Sequence, residues 1–109
     1  MKKYCLALDL IDDSELIAEY EKYHENIWPE VKQSILNSGI INMEIYRIQN
    51  RLFMMVEADG NFSLEAKNEA DKNNSKVQEW EELMWKFQQQ LPNSKPGEKW
   101  QLMDKIFSL

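Results

Sequence analysis

One cysteine, one histidine, three glycines and three prolines are all that this chain of 109 residues holds of four residue types on which many protein chemistries rest. The single Cys5 excludes an intrachain disulfide and suits a reducing compartment. One histidine and one cysteine, on different expected elements, do not make a zinc site, which draws three or four ligands from His, Cys and carboxylates. No loop carries the ligand spacing of a carboxylate-only calcium or magnesium site. Three scattered glycines leave no phosphate-cradling loop. Positive charge is also short. Thirteen Lys and Arg against nineteen Asp and Glu give a net charge of −6, and no basic run exists. Nucleic acid and anionic membranes are therefore not expected partners. Long hydrophobic runs are missing as well. The opening MKKYCLALDL is interrupted by Asp9 and is followed by no small-residue cleavage site, so it reads as a strand and not as a signal peptide. No segment approaches the length of a membrane span. The expectation is a cytoplasmic protein that uses no metal and no cofactor.

What is present is ordinary in bulk. With 43% hydrophobic and 29% charged residues, residues 1–109 suit one globular domain. The aromatics, four each of Trp, Tyr and Phe, exceed what so small a core needs. They fit a ligand surface, a core or a subunit interface.

Tyr4, Leu6, Leu8 and Leu10 alternate with Cys5, Ala7 and Asp9, the period of a strand with one apolar face. Asp12 and Glu15 have capping-box spacing and predict a helix start. Pro29 suits the first turn of a second helix, with Trp28 held out of helical geometry before it, and Gly39 can close that helix. Residues 40–48 alternate again, with Ile41, Met43 and Ile45 on one face and Asn42, Glu44 and Tyr46 on the other. Gln49-Asn50 reads as a tight turn into a third strand through Leu52, Met54 and Val56. A short helix is expected over residues 62–70. A longer one should follow, with Val77, Trp80, Leu83, Met84 and Phe87 in one stripe, stopped by Pro92 and Pro96-Gly97. Residues 100–107 read as a last strand.

The order is βαββαβ, the ferredoxin-like α+β plan: an antiparallel sheet with helices on one face. The other sheet face would combine apolar residues with Asp9, Glu44 and Glu57. That mixture suits neither solvent nor a dry core. Pairing two sheets into a homodimer of the dimeric α/β barrel type resolves it.

Chemistry concentrates in EYEKYHENIWPE, residues 19–30, around the only histidine. Tyr20 and His24 are four residues apart and share one helix face, and Trp28 follows just beyond. An imidazole is the best general acid or base available here. The same spacing also suits a packing histidine on an amphipathic helix, and the residues alone leave both readings open. Glu79, Glu81 and Glu82 read as a solvated helix face.

The pattern Tyr-x-x-x-His-x-x-Ile-Trp-Pro-Glu resembles that of the L-rhamnose mutarotase family. The resemblance continues through IYRIQNRLFMMVE and KVQEW and runs end to end. It implies a small dimeric protein of ferredoxin-like fold that interconverts the α and β anomers of a 6-deoxyhexose monosaccharide, L-rhamnose first and L-fucose next. It implies that His24 is the acid/base residue and that Tyr20 contacts the sugar; an indole face suits the C–H face of a sugar, so Trp80 or Trp28 is expected to stack on it. The family carries two adjacent Trp in the long helix; here the first is Trp80 and the second position is Glu81. A sugar-contacting Tyr of the second strand is replaced by Met43. Trp85 lies about 140° of helix rotation from Trp80 and does not substitute for the missing indole on its own. These departures put the identity of the sugar in question. Two rival readings share the plan: a cofactor-independent monooxygenase of the dimeric α/β barrel group, and a non-catalytic sugar-binding dimer.

Overall fold

The computed structural model describes residues 1–109. The first strand, β1 (Lys2–Leu10), leads into α1 (Ser14–Glu25) and α2 (Pro29–Asn37). The hairpin β2 (Ile40–Ile48) and β3 (Arg51–Ala58) follows, then α3 (Leu64–Lys72) and α4 (Ser75–Trp85). Two short strands end the order, β4 (Gln88–Gln89) and β5 (Gln101–Leu102). The antiparallel sheet runs β2-β3-β1-β4, with β5 also pairing with β1. This is the ferredoxin-like strand order, and the expected α+β architecture is borne out.

Local chemistry explains most element ends. The α1 cap is Asp13 and not Asp12: Asp13 Oδ1 accepts from the backbone N–H groups of Glu15 and Leu16, both at 3.0 Å. Asp13 has the extended backbone a cap residue needs, so the helix starts one residue later than the capping-box spacing predicts. Trp28 stays non-helical, Pro29 opens α2, and Gly39 follows it at φ +99°. Gln49 takes φ +52° in the expected hairpin turn. The turn is pinned to the end of β1, because Leu10 N donates to Asn50 O (2.6 Å) and Asn50 Nδ2 donates to Leu10 O (3.0 Å).

Four further expectations need correction. In β2 a bulge lies between Ile40 and Asn42, so Ile40 is buried while Ile41 is exposed and leaves the face of Met43 and Ile45. The short helix starts at Leu64, capped by Ser63. Phe62 stays outside that helix, buried against Tyr4. The long helix ends at Trp85, before any proline, so Phe87 completes the core from a turn. The last strand is not continuous. Gln88–Gln89 pairs with Asp9–Leu10, Gln101–Leu102 pairs with Leu6–Ala7, and residues 103–109 form no ladder. Between the two pieces the chain leaves the sheet through turns at Asn93 (φ 67°) and Gly97 (φ 86°), beside prolines that cannot donate to a ladder.

On the face beneath the helices, Leu6 and Leu8 of β1 pair with Met54 and Leu52 of β3, and Leu10 pairs with Gln88 of β4. The buried residues there fall into two clusters. One is built around Leu10, Tyr20, Leu52, Trp80 and Phe87, the other around Ile40, Val56, Ala58 and Phe62. Cys5, Ala7, Phe53, Met55 and the Asp9–Arg51 ion pair (2.8 Å) share the opposite face.

Candidate active site

The Tyr20-His24 step projects from the last two turns of α1 toward α4. The two rings stand 4.4 Å apart between centroids, and the imidazole lies 5.6 Å from the Trp80 indole at 67°. Trp80 is 8% exposed and held from behind: Tyr23 meets it edge-on at 6.2 Å, and Trp28 packs on it at 5.2 Å. The aromatic residues expected near His24 therefore gather there in two roles. Tyr20, His24 and Trp80 line a cavity of about 640 Å³ between the sheet and the helices. Trp28 is not in its lining and buttresses Trp80. Met43 and Glu81, the two positions that depart from the family pattern, both line the cavity. Trp85 does not, and Lys99 Nζ sits 5.2 Å from the center of its ring.

His24 Nδ1 is 2.8 Å from the backbone carbonyl of Tyr20. A carbonyl oxygen only accepts, so Nδ1 carries the proton and Nε2 of the neutral ring is a free lone pair. Tyr20 is 3% exposed, and its hydroxyl accepts a hydrogen bond from Gln88 Nε2 at 3.3 Å. Burial pushes the phenol above its ordinary range, and the Gln88 bond offsets part of that shift. Tyr20 is thus a protonated donor at neutral pH, with its proton free for a ligand oxygen.

A second recess, of about 430 Å³, shares Tyr20, His24 and Ile45 with the first and opens beside Arg47 and Glu21. Arg47 Nε donates to Glu21 Oε1 at 2.6 Å, and a further guanidinium N–H donates to the carbonyl of Gln49 at 2.6 Å. This rim pair and Gln88 escaped the sequence reading. Both depend on contacts between distant elements, and Gln88 carries no local signal within its run of three glutamines. No three His, Cys, Asp or Glu side chains are placed to hold a metal ion together. No helix is long and apolar enough to cross a membrane.

An imidazole with one free nitrogen, a phenol donor, an indole wall and a cavity with room for a small ring compound can bind a monosaccharide and move its protons. Comparison with known proteins identifies the family. The family model for L-rhamnose mutarotase matches residues 3–109. An L-fucose mutarotase from Xanthomonas campestris pv. campestris is 43% identical over 111 residues, covering 100% of this chain and 89% of the relative. An L-rhamnose mutarotase from Bacteroides thetaiotaomicron is 32% identical over 81 residues, covering 72% and 74%. The crystal structure of an L-rhamnose mutarotase from Formosa agariphila shares the fold, with a TM-score of 0.73 at 21% identity over 100% of this chain and 99% of that one. The chain belongs to the L-rhamnose mutarotase family, as a carbohydrate isomerase of the rhamnose and fucose mutarotase type.

Proposed function

We propose that this protein interconverts the anomers of L-fucose, and of L-rhamnose less efficiently, with His24 as general acid and base and no cofactor. The order of the two sugars reverses the one implied by the motif alone. Two features support the reversal: the loss of a Tyr and a Trp at Met43 and Glu81, and the 43% identity to an L-fucose mutarotase over the whole chain. The two sugars differ in configuration at C2 and C4, so altered contacts at two cavity positions are a sufficient cause of altered preference.

The observation that carries the mechanism is the Nδ1 hydrogen bond to the Tyr20 carbonyl, which leaves Nε2 as a free base in the cavity wall. Nε2 removes the proton of the anomeric hydroxyl as the bond from C1 to the ring oxygen breaks. The ring oxygen takes a proton through water while Tyr20 hydrogen-bonds it. Rotation about C1–C2 presents the other face of the aldehyde. Reclosure returns the proton from the imidazolium to the new anomeric hydroxyl while the ring oxygen gives its proton back to the water, so no atoms are gained or lost. The Trp80 face packs on the C–H face of the sugar. A placed acid–base group of this kind supplies about 10²–10⁴-fold over the reaction in water.

The working unit in this reading is a homodimer in which the sheet faces bearing Cys5, Ala7, Phe53 and Met55 pair. Saturation-transfer NMR of anomer exchange, run separately on L-fucose and L-rhamnose, tests the function. The expected result is faster exchange on L-fucose than on L-rhamnose and a loss of about 10²-fold or more in the His24→Ala variant. Equal exchange with wild type and His24→Ala defeats the proposal.

A further inference from the structure

The wall that α3 presents to the cavity is chemically unlike the wall across from it. Leu6, Met43, Met54 and Val56 make the sheet side apolar. On α3, Lys67 and Asp71 also line the cavity, as an i,i+4 ion pair at 2.8 Å with side-chain exposures of only 16% and 12%. Ser34 Oγ on α2 donates to Asp71 Oδ1 at 3.1 Å. Gln78 Nε2 on α4 ties that helix to α3, donating to the Asp71 carbonyl (2.9 Å), and also donates to Glu81 Oε2 (3.3 Å). Glu81 adjoins Trp80 in sequence, so this polar wall begins where the indole wall ends.

Removing two charges from water costs free energy that an ion pair with one added hydrogen bond regains only in part. The pair nevertheless leaves capacity unused. An ammonium has three donors, of which Asp71 takes one, and the carboxylate keeps lone pairs beyond those used by Lys67 and Ser34. A hydroxyl both donates and accepts, so adjacent hydroxyls match a neighboring donor and acceptor. There is also room. A deoxyhexose of eleven heavy atoms fills roughly 330 Å³ at about 30 Å³ per water-sized group, about half of the cavity volume.

We infer that Lys67 and Asp71 form a hydroxyl-binding subsite that grips the sugar on the side away from the apolar sheet wall, with Lys67 donating to one ring hydroxyl and Asp71 accepting from its neighbor. The inference rests on the sugar-site reading above. The subsite orients the ligand between α3 and the Trp80 face, and the 6-position methyl lies against Met43 and Met54. It holds the ring in place for the contacts made by Met43 and Glu81, and it takes no part in proton transfer.

The test uses the full chain carrying Lys67→Met with Asp71→Leu, which removes both charges together and avoids stranding either one. A second variant, Lys67→Met with Asp71→Asn, keeps an acceptor for Ser34 and serves if the first does not fold. Folding is checked by thermal unfolding. Affinity for L-fucose, L-rhamnose and their 2-, 3- and 4-deoxy analogues is read by calorimetry, and anomer exchange by NMR. Wild type should bind the parent sugar about tenfold or more tightly than the folded variant, the size expected for hydrogen bonds to charged groups. That gap should narrow for each of the two analogues that lack a gripped hydroxyl and stay full for the third. A folded variant with wild-type affinity overturns the subsite, and so does an equal loss across all analogues, which is the signature of a merely structural pair. Wild type that binds neither sugar overturns it too. Wild type that binds without accelerating exchange defeats the mutarotase reading alone, and the analogue series still judges the subsite.

Discussion

The Tyr20 hydroxyl accepts a hydrogen bond from Gln88 Nε2 at 3.3 Å, joining α1 to the first residue of β4. Both side chains line the cavity and both residues are less than a tenth exposed. This one contact fixes the direction of the phenol and closes the sheet end of the site. It also gives Tyr20 two separable roles, in folding and in binding.

Tyr20→Phe separates them. At neutral pH the variant should be less stable by about 1–3 kcal/mol, because it leaves a buried amide N–H without a partner. It should also lose about tenfold in kcat/KM through the missing bond to the sugar. The stability gap depends on pH with a definite sign. Burial raises the folded-state pKa of Tyr20 above the ordinary phenol value of 10.0, so the stabilization it gives is complete below pH 10 and is lost as pH rises through the higher folded value. Denaturant unfolding of both proteins from pH 8 upward should show the gap constant at first and narrowing above pH 10. A gap that widens in that range contradicts the buried, protonated phenol.

Gly39 carries a prediction about the fold alone. Its φ of +99° disfavors any other residue, and a Cβ there would meet Asp59 Oδ2 at 2.9 Å and Oδ1 at 3.0 Å. Gly39→Ala should destabilize by about 1–3 kcal/mol. Gly60→Ala is the internal control, since nothing lies within 4 Å of a Cβ at that position. It should stay within about 0.5 kcal/mol of wild type. Thermal unfolding of the pair checks both values, and equal losses would mean the α2–β2 turn is not built as described.

How far the sequence reveals this site depends on distance along the chain. Tyr20 and His24 are one helical turn apart, and Pro29 and Gly39 bound α2 by their own backbone preferences, so these features are local and readable. The bulge at Ile41 is harder, because Ile40 and Ile41 are chemically alike and only pairing with β3 decides which is buried. The split last edge is harder again. A two-residue strand such as Gln88–Gln89 has no periodicity, and its place is set by β1. Lys67 and Asp71 illustrate the limit. As an i,i+4 pair they look like any solvated helix face, and only Ser34 and Gln78, from other helices, mark the pair as enclosed.

The rim pair Arg47–Glu21 separates stability from binding. Side-chain exposures of 37% and 53% leave it well solvated, so it contributes about 0–1 kcal/mol to folding. Arg47 nonetheless lines the recess shared with His24 and Tyr20. Arg47→Gln should therefore keep the melting temperature within a few degrees and raise KM several-fold with kcat unchanged. Steady-state exchange kinetics at several sugar concentrations give the split. A fall in kcat with constant KM would instead place the guanidinium at the proton-transfer step.

Substrate preference should respond to the two positions where this chain departs from the family pattern. Met43 lies on β2 and Glu81 on α4, and both line the main cavity. Glu81 offers acceptor oxygens steadied by Gln78 at 3.3 Å, whereas an indole there would offer a flat apolar face and one donor. Met43 is flexible and apolar, whereas a tyrosine would bring a rigid ring and a hydroxyl. The pair Met43→Tyr with Glu81→Trp therefore exchanges acceptors for donors and for stacking surface at two sides of the sugar. If these residues set the preference, the ratio of kcat/KM for L-rhamnose over L-fucose should rise about tenfold or more, the worth of one or two repositioned hydrogen bonds. Each single change should give only part of the shift, because both act on the orientation of one small ligand. An unchanged ratio in a folded, active double variant would move the origin of selectivity to the α3 wall.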